Sequence, residues 1–353
     1  MLYISITFDY ELFMGENYVD EEEVLISPTS KLSTMLSEEG ISGVFFADVC
    51  SPMRYRELGK KDFSNMLDEQ LVELVGQGHD VQLHIHPHWL TATKVGKHIE
   101  FDRNYYRLHN WEKESSGSMK KIIHDGIEYL KDVIRPVDQD YRCVAYRAGG
   151  YCLQPEEQLA DILYNEGIRI DSSVCVGFSH DGDGMYYDYK SLKPYRNFYF
   201  NKMHPITMQH EDRINEAIFE VPVGSYGRFP QRIVASKINR KITSRPNNGT
   251  GMKLSLTQVT NKKTIWNRVE KSIHAFNMVT FDFYNAASMK YMIEHICKEQ
   301  NCSNRDVFLA TISHPKLLSD EHIDNMRKAI VGLKRNPNIC FVNMQDIAKI
   351  IQL

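Results

Sequence analysis

Ile41-Ser42-Gly43-Val44-Phe45-Phe46-Ala47-Asp48-Val49 is an apolar run. Phe63 to Val75 then places Met66, Leu67, Leu71 and Leu74 on one helical face. The chain next enters Gly78-His79-Asp80-Val81-Gln82-Leu83-His84-Ile85-His86-Pro87-His88-Trp89. Strand, helix, strand is the expected reading, with Val81 to His84 as the second strand. That order is the unit of a parallel sheet with crossover helices.

The same alternation extends in both directions. Leu2 to Phe8 reads as a strand and Thr29 to Glu39 as a helix, through Leu32, Met35 and Leu36. Downstream, Met119 to Ile134, Glu156 to Asn165, Ala286 to Lys298 and Asp320 to Leu333 have helical spacing. Arg142 to Tyr146, Ile168 to Ile170, Ala217 to Val223, Val307 to Ile312 and Ile339 to Val342 read as strands, and Asp346 to Ile351 closes the pattern. About seven strands in 353 residues predict an α/β fold, a distorted (β/α) barrel in one domain over 1–353. Three long polar segments interrupt the repeat: Thr91 to Ser118, Gly177 to Glu216 and Arg228 to Lys271. In a barrel, such insertions are expected as loops on the face where sites form.

Composition narrows the function classes. The chain is 42% hydrophobic and 25% charged, with a formal net charge of −4, which is ordinary for a globular protein. No run approaches the roughly 18 apolar residues of a membrane span. The opening Leu2-Tyr3-Ile4-Ser5-Ile6 lacks the features of a secretory signal, so a cytoplasmic location is expected. Seven scattered cysteines fit neither a zinc ribbon nor a disulfide framework, and free thiols are expected. Arg228 to Lys271 holds eleven Lys/Arg and one acid, Glu270, so the rest of the chain is distinctly acidic. A solvated basic surface and a site for a phosphate-bearing ligand both remain open for it. Nothing resembles a nucleic-acid-binding module.

The chemistry-bearing residues stand at strand ends. Asp9 and Glu11 follow the first strand two residues apart, so they share a face, and like charges that close call for a cation or a shared proton. His84, His86 and His88 alternate. An extended chain puts all three on one face, whereas a turn at Pro87 brings His84 and His88 together. One carboxylate with two imidazoles and an open position is a catalytic zinc pattern. Arg147 ends a strand, where its charged fork can hold a carboxylate, and Gly149-Gly150 permits unusual backbone angles before Tyr151. Asp171 either pairs with a histidine or caps a helix. His314 ends a strand, where it can act as a general acid.

This ordered set resembles the polysaccharide deacetylases of the NodB-homology group, over most of the chain. Thr7-Phe8-Asp9-Tyr10-Glu11 is similar to the family's Thr-Phe-Asp-Asp opening, His84 and His88 to its His-x-x-x-His, Arg147 to Tyr151 to its arginine motif, and His314 to its late histidine. The resemblance implies metal-dependent removal of an N-acetyl group from an amino sugar, as in a cell-surface polysaccharide. The lack of signal features and the basic Arg228–Lys271 segment point instead to its cytoplasmic nucleotide- or lipid-linked precursor. The resemblance also implies Asp9 as general base, His314 as general acid and Arg147 as the residue that orients Asp9. The Tyr151 backbone N–H is implied at the oxyanion and Asp171 as the carboxylate tuning His314. Glu11, His84 and His88 are implied as ligands of a divalent ion, with Zn2+ the first choice. The departure is Tyr10, which stands where the family's second aspartate would be, so Glu11 takes the ligand role and His86 is additional. Trp89, Tyr105, Tyr106, Trp111 and Tyr226 are candidates for stacking on a sugar ring. Two other readings stand beside this one: a small-amide or cyclic-amide amidohydrolase on the same fold, and a non-catalytic carbohydrate-binding protein. Sugar, metal and oligomeric state stay open.

Overall fold

The computed structural model describes residues 1–13, 20–95, 98–112, 118–227 and 276–353. The basic segment Arg228–Lys271 lies outside the described residues.

The alternation is present. In chain order the strands of the two largest sheets are β1 (Leu2–Ser5), β2 (Thr7–Tyr10), β3 (Val44–Asp48), β4 (Asp80–Ile85), β5 (Ala145–Ala148), β6 (Ile170–Asp171), β7 (Phe198–Phe200), β8 (Ile218–Glu220), β9 (Val307–Ala310) and β10 (Ile339–Phe341). Helices α1 (Ser27–Glu38), α2 (Lys61–Gly76), α3 (Met119–Ile134) and α4 (Glu156–Asn165) connect β2 through β6. Then α5 (Ala286–Glu299) precedes β9, and α6 (Asp320–Leu333) joins β9 to β10. A seven-stranded sheet runs β7-β8-β6-β5-β4-β3-β2, and a three-stranded parallel sheet runs β9-β1-β10. All neighbours in the larger sheet are parallel except β7 and β8.

Single parallel bridges tie the two sheets together. Phe8 bridges Ser313 beyond the end of β9, and Val223, beyond β8, bridges Ala310. Asp9 N–H donates to Ser313 O at 2.9 Å, and Gly224 N–H to Ala310 O at 2.7 Å.

The period of two decides what goes where. In β4 all six residues are buried, as expected for a parallel strand covered on both faces. Val81, Leu83 and Ile85 join the large core formed with the helices. Helix α3 comes so close that a Cβ on Gly126 would lie 2.9 Å from Val49 and 3.2 Å from Leu83. Gln82 and His84 take the opposite face. The second, smaller core gathers the alternate positions: Val44 and Phe46 of β3, Ala145 of β5, Ile170 of β6, Phe219 of β8 and Phe308 of β9. Along each strand the same face turns polar at its C-terminal end: Asp9, His84, Arg147.

Two of the three polar segments carry structure that their composition hid. Within 177–216, Ser179–Gly182 and Met185–Asp188 pair as a hairpin, and β7 adds an antiparallel, fully buried edge to the sheet. Within 91–118, Thr93–Val95 pairs with His98–Glu100. Among the described residues, no helix is long and apolar enough to cross a membrane.

Candidate active site

Asp9 is next to last in β2 and Glu11 follows the strand directly, so both face inward. Tyr10 points the other way and donates its hydroxyl to Gln70 at 2.6 Å. Neither carboxylate has more than marginal contact with solvent.

Opposite them stand two histidines. A ring nitrogen of His84, Nδ1, lies 2.8 Å from the Arg147 carbonyl oxygen. A carbonyl only accepts, so Nδ1 carries the hydrogen and neutral His84 presents a bare Nε2. That nitrogen is 3.2 Å from Glu11 Oε2 and 3.9 Å from Asp9 Oδ2. His86 follows β4 with φ −111° and ψ 81°, still extended enough to keep the alternation, and its Nε2 contacts the same Glu11 oxygen. Its Nδ1 is buried without a hydrogen-bond partner among the described residues. The ring has room because residue 149 is glycine: a Cβ there would lie 2.5 Å from the Ile85 carbonyl oxygen and 2.7 Å from His86 Nδ1. One ligand atom each from Glu11, His84 and His86 lie within 4.8 Å of one another, as do atoms of Asp9, Glu11 and His314.

His88, expected beside His84, is in neither group. Pro87 starts a tight turn, Pro87–Thr91, and the His88 ring lies edge-on to that of His86, centroids 5.5 Å apart. Its ring stacks on Tyr106 (centroids 4.9 Å apart, 5° between planes) and meets Phe101 edge-on. Both ring nitrogens are buried and unpartnered among the described residues, and burial pushes its pKa down to about 2. Among the described residues, the histidine grouped with Glu11 and His84 is therefore His86 and not His88.

Arg147 is fully buried. Its Nη1 donates to Asp9 Oδ1 at 2.6 Å, Nε to Ser172 O at 2.8 Å and Nη2 to Ser172 Oγ at 2.9 Å. The guanidinium lies 4.1 Å over the Phe46 ring. His314 is held twice by Asp282: Nδ1 to Oδ2 at 2.7 Å, and the backbone N–H to Oδ1 at 2.9 Å. Its Nε2 is 3.7 Å from Asp9 Oδ2 and 3.7 Å from Glu11 Oε1. Lys316 donates to Glu11 Oε1 at 2.7 Å and to the Leu12 carbonyl at 2.8 Å.

Asp282, not Asp171, is the carboxylate on His314. Asp171 accepts from Ser173 and sits across from Glu220 in strand register, and burial raises the pKa of both. Sequence reasoning missed Asp282 and Lys316. Thr280-Phe281-Asp282 repeats the Thr7-Phe8-Asp9 pattern, a signal that would have found the first; nothing marked the second. Tyr151 sits in the Gly149–Tyr151 turn with φ 63°, and its carbonyl accepts from the Tyr189 hydroxyl at 2.7 Å. Of the aromatic candidates, Trp89, Tyr106, Trp111 and Tyr226 are buried.

Electrostatics sorts the titratable groups. Burial alone would raise Asp9, but Arg147, then His84 and His314, hold its pKa below the usual value. Burial likewise opposes charge on Glu11, and Lys316, followed by His86, brings it well below. Burial disfavours the imidazolium of His84 and of His314; Asp9 leads in raising the first and Asp282 in raising the second. A charged carboxylate beside a protonated imidazole is the arrangement of a general base with a general acid.

No family model matches the chain, and no curated protein sequence does. Among solved structures, it is similar to a Mycobacterium smegmatis protein assigned as a polysaccharide deacetylase. The TM-score is 0.50 at 14% identity, covering 99% of this chain and 90% of that one. It is equally similar to the allantoinase Puue, with TM-score 0.50 at 10% identity, covering 99% and 89%. At such identities the likeness establishes a shared fold.

Proposed function

We propose that this chain is a metal-dependent hydrolase that removes the acetyl group from an N-acetylated amino sugar. We read the fold as a distorted (β/α) barrel in one domain over 1–353, a reading supported by the bridges that join β2 and the end of β8 to the end of β9. The observation that carries the function is the meeting of buried Asp9 with part-exposed His314 beside Glu11, His84 and His86. The donor set fits a borderline divalent ion such as Zn2+: one carboxylate oxygen and two imidazole nitrogens converge, and His84 already gives its other nitrogen to a carbonyl. Glu11, His84 and His86 would hold such an ion, which would supply Lewis acidity toward an acyl carbonyl and a bound water.

The chain's own residues do the rest. Arg147 occupies Asp9 Oδ1 and leaves Oδ2 to take the proton from the attacking water. The Tyr151 backbone N–H is assigned to the oxygen that gains charge as the carbonyl becomes tetrahedral. His314 Nε2 gives its proton to the amine nitrogen as the C–N bond breaks, since an amine anion is too poor a leaving group near neutral pH. Asp282 holds Nδ1–H and so aims Nε2 at the reacting centre. One proton goes to Asp9 and one leaves His314, so acetic acid and neutral amine are the first products. The proton on Asp9 then returns through solvent to His314, which restores both groups, and the acid ionises to acetate in water.

Metal analysis of the purified protein, with acetate release from a panel of N-acetylhexosamine donors, tests this reading. Metal-containing protein whose acetate release vanishes in Asp9→Asn is the expected result; metal-free protein with unchanged turnover in that variant overturns it. A phosphate-bearing cytoplasmic precursor as substrate remains a proposal resting on the basic segment Arg228–Lys271. The likeness to an allantoinase favours one alternative, hydrolysis of a cyclic amide by the same residues. Ring opening of cyclic ureides without acetate release would select it.

A further inference from the structure

Lys316 lies two residues beyond His314, in the turn Pro315–Leu317, and its side chain is only 7% exposed. Its ammonium divides Glu11 in two. Oε1 accepts from Lys316, and Oε2 faces His84 and His86. The Leu12 carbonyl takes a second ammonium hydrogen, so the group is anchored to the backbone at the end of β2. Burying a lysine is unfavourable unless a partner compensates, and here the partner is the one carboxylate of the candidate metal group. An ion on the Oε2 side would share that carboxylate with a fixed positive charge on the other side.

We propose that Lys316 is an internal rival of the metal. It neutralises Glu11 when no ion is bound, confines Glu11 to one oxygen as a ligand, and lowers the affinity of the Glu11–His84–His86 group so that the divalent ion exchanges. The inference rests on the metal-dependent reading above and adds to it the ion's residence: exchangeable, not permanent. Two effects act in the same direction. Like charges repel across a buried carboxylate, where water screens poorly. Without the ammonium, Oε1 is also freed to join Oε2 as a second donor to the ion.

The test is calorimetric titration of chelator-treated full-length protein with Zn2+, repeated with Co2+ for its visible absorption. Wild type, Lys316→Gln, Lys316→Met and Lys316→Arg are compared. Lys316→Gln keeps a donor for Glu11 without the charge and decides the matter if Lys316→Met does not fold. Both neutral variants are expected to bind at least about tenfold more tightly than wild type, and Lys316→Arg to stay close to wild type. Equal or weaker binding by the neutral variants overturns this proposal and leaves the metal-dependent reading standing. No saturable binding by wild type overturns the metal-dependent reading, and this inference with it.

Discussion

Asp282→Asn should cost His314 much of its proton affinity while leaving the fold intact. In the native site Asp282 accepts two hydrogen bonds, from His314 Nδ1–H and from the His314 backbone N–H. An asparagine has one oxygen and one amide NH2 in the same outline. If the oxygen keeps the backbone bond, the NH2 faces Nδ1, which must then be bare, and the imidazolium with hydrogens on both nitrogens is disfavoured. Losing a hydrogen bond between charged groups costs about 1.5–3 kcal/mol, or roughly a ten- to hundredfold loss in the protonation equilibrium. The imidazole titration, followed by NMR, should move to lower pH in Asp282→Asn, and the alkaline limb of the activity profile should move with it. Asp171→Asn is the control, because Asp171 faces Glu220 and the serine turn instead. An unmoved His314 titration in Asp282→Asn, or a larger shift in Asp171→Asn, would refute the assignment.

Three further outcomes follow from the geometry. His86→Ala should lose bound metal, whereas His88→Ala should keep it and lose only stability, because His88 packs on Tyr106 and Phe101; metal analysis of both variants decides. Arg147→Met strands a buried Asp9 and should destabilise by about 3–5 kcal/mol in denaturant titration at neutral pH. Since the Asp9 pKa is depressed in the fold, that contribution is present above the unfolded value near 4 and is lost as pH falls through the folded value, so the two proteins should converge in acid. Gly149→Ala should displace the His86 ring, because its Cβ would lie 2.7 Å from Nδ1, and metal affinity should fall before the fold does.

Much of the fold was legible because parallel strands covered on both faces must be apolar throughout, and their helices must show one apolar face. Thus β3, α2 and β4 stand close to where Ile41 to His84 placed them. The strand-end residues were legible for the same reason: a period of two turns Asp9 and Glu11 to one side. What failed depended on distance or on one backbone turn. The choice between His86 and His88 hangs on whether the chain stays extended through His86, which Pro87 bounds but does not announce. The Thr280-Phe281-Asp282 repeat could mark Asp282 as a strand-end carboxylate, but it lies 32 residues from His314, so no local pattern pairs the two. Strand β7 was hidden because three aromatic residues inside a polar stretch are too few to show a period.

Asp9 and His314, the base and acid proposed here, lie far apart in sequence, and the backbone bond between Asp9 and Ser313 joins their strands across 304 residues. During synthesis β2 precedes the Ser313 segment by about 300 residues, and one of its edges stays bare until that segment has followed. An unpaired apolar strand held that long is a template for wrong partners. Chains interrupted before Thr311 should leave that edge unpaired and be prone to clump, and this fold should lean on chaperones that shield early-emerging strands.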